Sequence, residues 1–334
     1  MITWKTAALL LSFAALALPR LPARPRHGRL PRPPVYKGAI VVDAGTGAVL
    51  FADHADEMSP PASMVKLMTF AVAQDRIRSG VLSLGTLVRV TPADARVGQL
   101  GDSTHVGLRV GESFTIDELF YAMMIQSAND AAYAVALRTA GSIPAFVELM
   151  NRKARELGMT RTVYRTPNGL PVPSHRIADG DLSTPRDYAI LARYLIRHTN
   201  ILKYTSVRSR LFGVGVRFPP TPMHNHNNLL GRVAGVDGLK TGYTRGAGFC
   251  LTATAERQGR RIIVVVMDSP DPRDRDIKAA QLLDLGFATH PFRASIAPVS
   301  AAVPVVPVPL APAASAYAPA AAASVEPAIH FSVP

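Results

Sequence analysis

Strand-like segments sit at the two ends of the apolar part of this chain, with helical patterns between them. Near the start, residues 38–54 read "GAIVVDAGTGAVLFADH": an apolar strand, a Gly-rich turn at Ala44 to Gly47, and a second strand. Near the end, residues 246–269 read "GAGFCLTATAERQGRRIIVVVMDS", a hairpin turning at Gln258-Gly259, and "VDGLKTGY" (236–243) is a short strand just before it. The middle is helical. "TIDELFYAMMIQ" opens on Thr115 with Glu118 three residues on, a capping pattern. "IPAFVELMNRKARELG" has Pro144 at its start and Gly158 at its stop, and "STPRDYAILARYLIRHT" begins with Ser183, Thr184 and Pro185. "RDRDIKAAQLLDLGF" is a last helix. A lone hairpin is marginal in water, so the two strand groups are expected to share one antiparallel sheet with a helical lobe inserted between them. The expected fold class is α+β.

Composition divides the chain further. Residues 1–17 have Lys5, an apolar run and a small-x-small site at Ala15-Leu16-Ala17, the pattern of a secretory signal. Residues 18–34 are Pro/Arg-rich and read as an extended linker. Residues 35–292 are the expected globular domain. Residues 293–334 are Ala/Pro/Val-rich, and their prolines exclude a regular helix or sheet. The domain is therefore expected to be exported, to the periplasm or cell-wall compartment. The formal charge of +13 is uneven, because the linker alone holds five arginines and no acid. No basic stripe interleaved with aromatics appears, so nucleic acid is not an expected partner. An anionic polymer or membrane surface fits the charge better. A single cysteine, Cys250, excludes an internal disulfide, and its apolar context reads as a buried thiol.

One residue conflicts with its surroundings. "PPASMVKLMTFAVAQD" (60–75) is nearly all apolar or small, yet Lys66 sits inside it. With Pro60 and Pro61 at a helix start, Ser63 lies in the first turn and shares a face with Lys66. Burial lowers a lysine's pKa, and a free amine beside a hydroxyl can take its proton. A lysine that snorkels to the surface is the bland alternative. Two further patterns occur: Ser127-Ala128-Asn129, and Lys240-Thr241-Gly242 on the strand before the last hairpin. The spacings are 64 residues from Ser63 to Ser127 and 111 from Asn129 to Lys240. Each pattern is weak alone; together, in this order, they form a catalytic set.

On these motifs, and on "LMNRKARELGM" and "RDRDIKAAQLLDLGF", the chain from about Ala39 to Phe287 resembles the serine D-alanyl-D-alanine carboxypeptidases, the low-molecular-mass penicillin-binding proteins of peptidase family S11. The resemblance implies a five-stranded antiparallel sheet, a peptidoglycan stem pentapeptide as substrate, β-lactam antibiotics as inhibitors, and no cofactor or metal. It implies Ser63 as nucleophile, Lys66 as its base, and the N–H groups of Ser63 and Tyr243 as oxyanion donors. Ser127 would pass a proton to the departing amine with the help of Lys240, although a helix N-cap also explains Ser127. Asn129 would hold a substrate amide, and Thr241, with Arg275, the terminal carboxylate. Gly242 would let a peptide backbone lie close along its strand. For Arg275 a surface position at a helix start is the alternative. "HNH" (224–226) has no His-Glu-x-x-His partner for a metal, and in the family's layout His226 becomes a substrate contact.

Tyr243 stands where histidine is common in that family. Many members also carry a β-rich second domain and an amphipathic anchor; the Ala/Pro tail is expected to be neither, and membrane association stays open. A DD-endopeptidase, a class A-like β-lactamase and an inactive peptidoglycan-binding relative are the rival readings. Against the β-lactamase, "TPNGLPVPSHRIADGDLST" (166–184) has no glutamate, and its Asp179 and Asp181 read as caps of the next helix.

Overall fold

The structure is a computed structural model that describes residues 35–100 and 103–289. The expected signal, linker and tail lie outside the described residues.

In chain order the elements are β1 (Gly38–Asp43), β2 (Val49–Asp53), a 3-10 turn (Ala62–Met64), α1 (Val65–Arg78), β3 (Leu87–Arg89), α2 (Pro92–Val97), β4 (Ser113–Thr115), α3 (Ile116–Ile125), α4 (Asn129–Ala140) and α5 (Ile143–Glu156). They continue with α6 (Pro185–His198), α7 (Leu202–Thr205), β5 (Ser209–Phe212), β6 (Thr221–His224), β7 (Val236–Thr244), β8 (Gly248–Arg257), β9 (Arg260–Ser269) and α8 (Pro272–Ala288). The sheet runs β2-β1-β9-β8-β7, antiparallel throughout, so the fold class is α+β as expected. β1 pairs directly with β9, with Gly38 opposite Met267. The two strand groups are thus joined at the middle of the sheet, and β7 is an edge.

The central strands read as continuous apolar runs because both faces are covered. One face, including Val41, Val264, Val266 and Leu251, packs on Leu282 and Leu283 of α8. The other, including Ile40, Val42, Ile263 and Val265, packs on the helical lobe. α1 lies between the sheet and that lobe, against α3, α4, α5 and α6. Every residue from Val65 to Gln74 is buried, which is why its pattern is apolar all round rather than on one stripe. Phe70 sits 4.6 Å from Phe120 and 5.5 Å from Tyr204, ring centre to ring centre.

The expected helix signals hold with three changes. Thr115 and Thr184 cap α3 and α6, and Ser142 caps α5, but Glu118 does not close a capping box with Thr115: its carboxylate accepts from Arg210 and the Gly213 amide. Ser127 is no cap: Ala128 holds the N-cap position of α4, with no side-chain bond. Nor does Asp181 cap α6; its carboxylate accepts from the Arg165 and Thr166 amides and the Thr166 hydroxyl.

The lobe is tied beside the site by buried Arg217. Its guanidinium grips Glu112 at 2.8 and 2.6 Å and donates to the carbonyls of Val106 and Gly107 at 2.6 and 2.8 Å. Burial opposes the charge on Glu112, but the Arg217 pair holds that carboxyl below its ordinary range.

Candidate active site

Lys66 is fully buried, yet it has partners. Its Nζ lies 2.9 Å from Ser63 Oγ, 2.7 Å from Asn129 Oδ1 and 2.7 Å from the carbonyl oxygen of Asn168. Burial is the main force that moves its pKa well below the usual lysine value, and the charge on Lys240 adds to it; the Asp130 and Asp181 carboxylates oppose it. Burial thus favours the uncharged form of the amine. A neutral amine has two N–H donors and one lone pair. Asn129 Oδ1 and the Asn168 carbonyl are acceptors only, so they take both donors. The lone pair is left for the Ser63 hydroxyl. This geometry rules out the snorkelling alternative.

The Ser63 turn is pinched from two sides. A β-carbon on Gly242 would meet Pro61 O at 2.6 Å and Ser63 N at 3.1 Å. One on Gly169, itself at φ +81°, would meet Ala62 O at 2.0 Å. The close approach at Gly242 is thus made by the chain's own 61–63 turn, a stronger demand for glycine than room for a peptide. Ala62 and Ser127 both adopt left-handed φ, 49° and 59°, a strain concentrated around the site. Ser127 is fixed in that conformation by Thr104, whose hydroxyl donates to the Ser127 carbonyl at 2.9 Å and whose carbonyl accepts from Asn129 N at 2.9 Å.

Ser63, Ser127, Asn129, Thr241, Gly242, Tyr243, His226 and Arg275 line one cavity of about 350 Å³, with Lys66 and Lys240 buried behind its wall. Arg275 is buried, not a surface residue. Its Nε and Nη2 donate to Asp276 Oδ1 at 2.9 and 2.7 Å, and Asn228 braces the same carboxylate from its other oxygen. Lys240 donates to the Thr241 carbonyl at 3.0 Å, and burial, then Arg275, pushes its pKa to about 7. Burial and the neighbouring cations push His226 to about 4, so it is neutral at pH 7. The Ser127 hydroxyl makes no hydrogen bond among the described residues, so the expected link to Lys240 is not formed in the free site. Tyr243 is 54% exposed and stacks on Phe249 at 4.2 Å.

Sequence reasoning missed Asn168 and Gly169. They are held by Asp181 through Thr166, whose hydroxyl accepts from Gly169 N at 2.8 Å. "TPNG" is a turn signal, but the partner it supplies to Lys66 is a backbone carbonyl, which any residue carries.

A family model described as D-alanyl-D-alanine carboxypeptidase matches residues 35–271. The chain is 33% identical over 261 residues to D-alanyl-D-alanine carboxypeptidase DacF of Bacillus subtilis, covering 77% of this chain and 64% of that one. It is 35% identical over 251 residues to DacC, named for the same activity, of Escherichia coli, covering 74% and 60%. The chain thus spans less than two thirds of either relative. Among solved structures it is similar to penicillin-binding protein D2 of Listeria monocytogenes in its ampicillin-bound form, with TM-score 0.64 and 29% identity over 76% of this chain and 97% of that one.

Proposed function

The chain belongs to the D-alanyl-D-alanine carboxypeptidase family, and from that premise we propose that it removes the terminal D-alanine from peptidoglycan pentapeptides through an acyl-enzyme on Ser63. The observation that carries this reading is buried Lys66 Nζ held 2.9 Å from Ser63 Oγ, with two acceptors at 2.7 Å as its other partners. Ser63 Oγ attacks the carbonyl between the two D-alanines while its proton passes to Lys66 Nζ. The oxyanion is met by the N–H groups of Ser63 and Tyr243, each such donor worth about 10²–10³ in rate. The C–N bond then breaks, and Ser127, moving onto the leaving amine, gives it a proton and takes in return the one that Lys66 holds, so that the proton from Ser63 departs with D-alanine and Lys66 is again a free amine. Water cleaves the ester and restores Ser63. Thr241 and Arg275 hold the terminal carboxylate; Asn129 holds the donor amide and His226 contacts the peptide. A β-lactam follows the same first step, but its opened ring keeps the leaving amine attached and blocks water.

The two buried lysines support these roles: burial lowers both, pushing Lys240 to about 7, and the charge on Lys240 further disfavours a proton on Lys66. The β-lactamase reading is weaker, because both Asp181 oxygens are already occupied and burial raises its pKa. The basic linker and the apolar leader support work outside the cytoplasmic membrane, in the cell-wall compartment.

The test is release of free D-alanine from a muramyl pentapeptide, with Ser63→Ala as blank. Release by the wild type alone supports the reading. No release from the folded wild type removes it, and favours an endopeptidase or a non-cutting binder. Lys66→Ala is expected to abolish labelling by a fluorescent penicillin; rapid labelling would overturn the assignment of the base.

A further inference from the structure

A second pocket, of about 400 Å³, opens between the β1–β2 hairpin, α6 and the C-terminal end of α5. Its floor is apolar, made by Ile40, Val42, Ala189 and Ile190, with half-exposed Val49 at its mouth. Its rim is cationic. Arg186, Arg193 and Arg197 recur on one face of α6 with Ile190 between them, and all four line the cavity, Ile190 packing on the core as well. Arg186 is answered by a carboxylate, with Nε and Nη2 at 2.8 and 2.9 Å from Asp56. The other two are not. Arg193 donates to the carbonyls of Ala44 and Gly45, both at 3.0 Å, and Arg197 to Gly45 at 2.9 Å. Among the described residues neither is in an ion pair, and no acidic side chain lines the pocket. The hairpin carbonyls orient the two guanidiniums while leaving N–H donors on each without a protein acceptor.

A simple anion would use the donors and ignore the floor; a neutral apolar molecule would do the reverse. We propose that this pocket binds an anionic amphiphile, a phosphate or carboxylate head carrying an alkyl chain. The head sits on Arg193 and Arg197, whose planar donors match its oxygens, and the start of the chain lies on Val42, Val49 and Ile190. Basic pockets beside apolar surface recognise lipid head groups in the same way. The site shares no residue with the Ser63 cavity, so it stands or falls independently of the peptidase reading.

The test uses the full chain and three soluble probes, followed by calorimetry: octyl phosphate, inorganic phosphate as head alone, and octyl glucoside as an uncharged chain. Octyl phosphate is expected to bind saturably and more tightly than either control. Arg197→Gln is expected to weaken it about tenfold, the worth of one charge-assisted contact. Arg193 makes two bonds to the hairpin and Arg197 one, so the second variant, Val49→Glu at the mouth, keeps both arginines and sets a new carboxylate against the head. Both variants should release D-alanine as the wild type does. Flotation with phosphatidylglycerol/phosphatidylcholine vesicles that both variants lose assigns the head group to a bilayer; octyl phosphate binding without variant-sensitive flotation assigns a soluble amphiphile. Absence of saturable octyl phosphate binding, or equal binding by wild type and both folded variants, overturns the site.

Discussion

Replacing Gly242 with alanine sets a methyl group against two backbone atoms and the Ala62 side chain. It would lie 2.6 Å from Pro61 O, 3.1 Å from Ser63 N and 3.2 Å from Ala62 Cβ, where ordinary contact begins at 3.4 Å. The strand and the turn must part by 3.4 − 2.6 = 0.8 Å. Neither yields easily, because β7 is locked to β8 and the turn is backed by Gly169. The displacement falls on Ser63 itself and on the amide expected to meet the oxyanion. A misplacement on the order of 1 Å costs about 10²-fold in rate, while overpacking of this kind costs about 1–3 kcal/mol in stability. The assay is the second-order rate of Ser63 acylation by a fluorescent penicillin, alongside thermal unfolding. A fall of about 10² in acylation with a modest drop in Tm is expected. A folded variant that acylates at the wild-type rate would refute the argument that the pinch positions the nucleophile.

Two further outcomes follow from buried charge. Unfolded Lys240 keeps its proton up to the ordinary lysine value of 10.5, whereas the folded residue gives it up at about 7. The unfolded state thus binds more protons across that window, so stability rises with pH there, by up to about 1.4 kcal/mol per pH unit per group; Lys66, also lowered, adds with the same sign. Urea midpoints should rise from pH 7 to pH 9, and Lys240→Met should flatten the slope; an unchanged slope in that variant counts against the assignment. Arg217→Ala leaves Glu112 unpaired and two carbonyls without their donor, at an expected cost of about 3–5 kcal/mol by denaturant unfolding; a loss near zero would show that Arg217 is not the clamp.

Local pattern and tertiary partner differ in how well they can be read from residues. The sheet from both ends was legible because β1, β8 and β9 carry runs too apolar for anything but a covered strand. Ser63, Lys66, Ser127, Asn129 and the 240–243 strand were legible because side-chain chemistry names its own residue type. The conflict of Lys66 with its apolar neighbours was itself the signal. What stayed hidden was supplied by backbone. The Asn168 carbonyl on Lys66, the left-handed φ of Ser127 and the approach of Pro61 to Gly242 depend on segments far apart in sequence. Asp181 was misread as a cap for the same reason: an acid near a helix start usually bonds that helix, and here it bonds a loop brought in by the fold.

The pairing of β1 with β9 has a consequence in time. During synthesis the first strand emerges with one edge satisfied by β2 and the other waiting for residues as late as Met267. The nucleophile's helix follows it early, but the strand that pinches the nucleophile's turn from one side, β7, comes near the end. A chain interrupted before Arg260 would hold Ser63 and Lys66 with β1 still lacking its β9 partner. Such long-range closure slows folding, and it also makes reactivity the last property the domain acquires: the serine is armed only when nearly the whole domain is present.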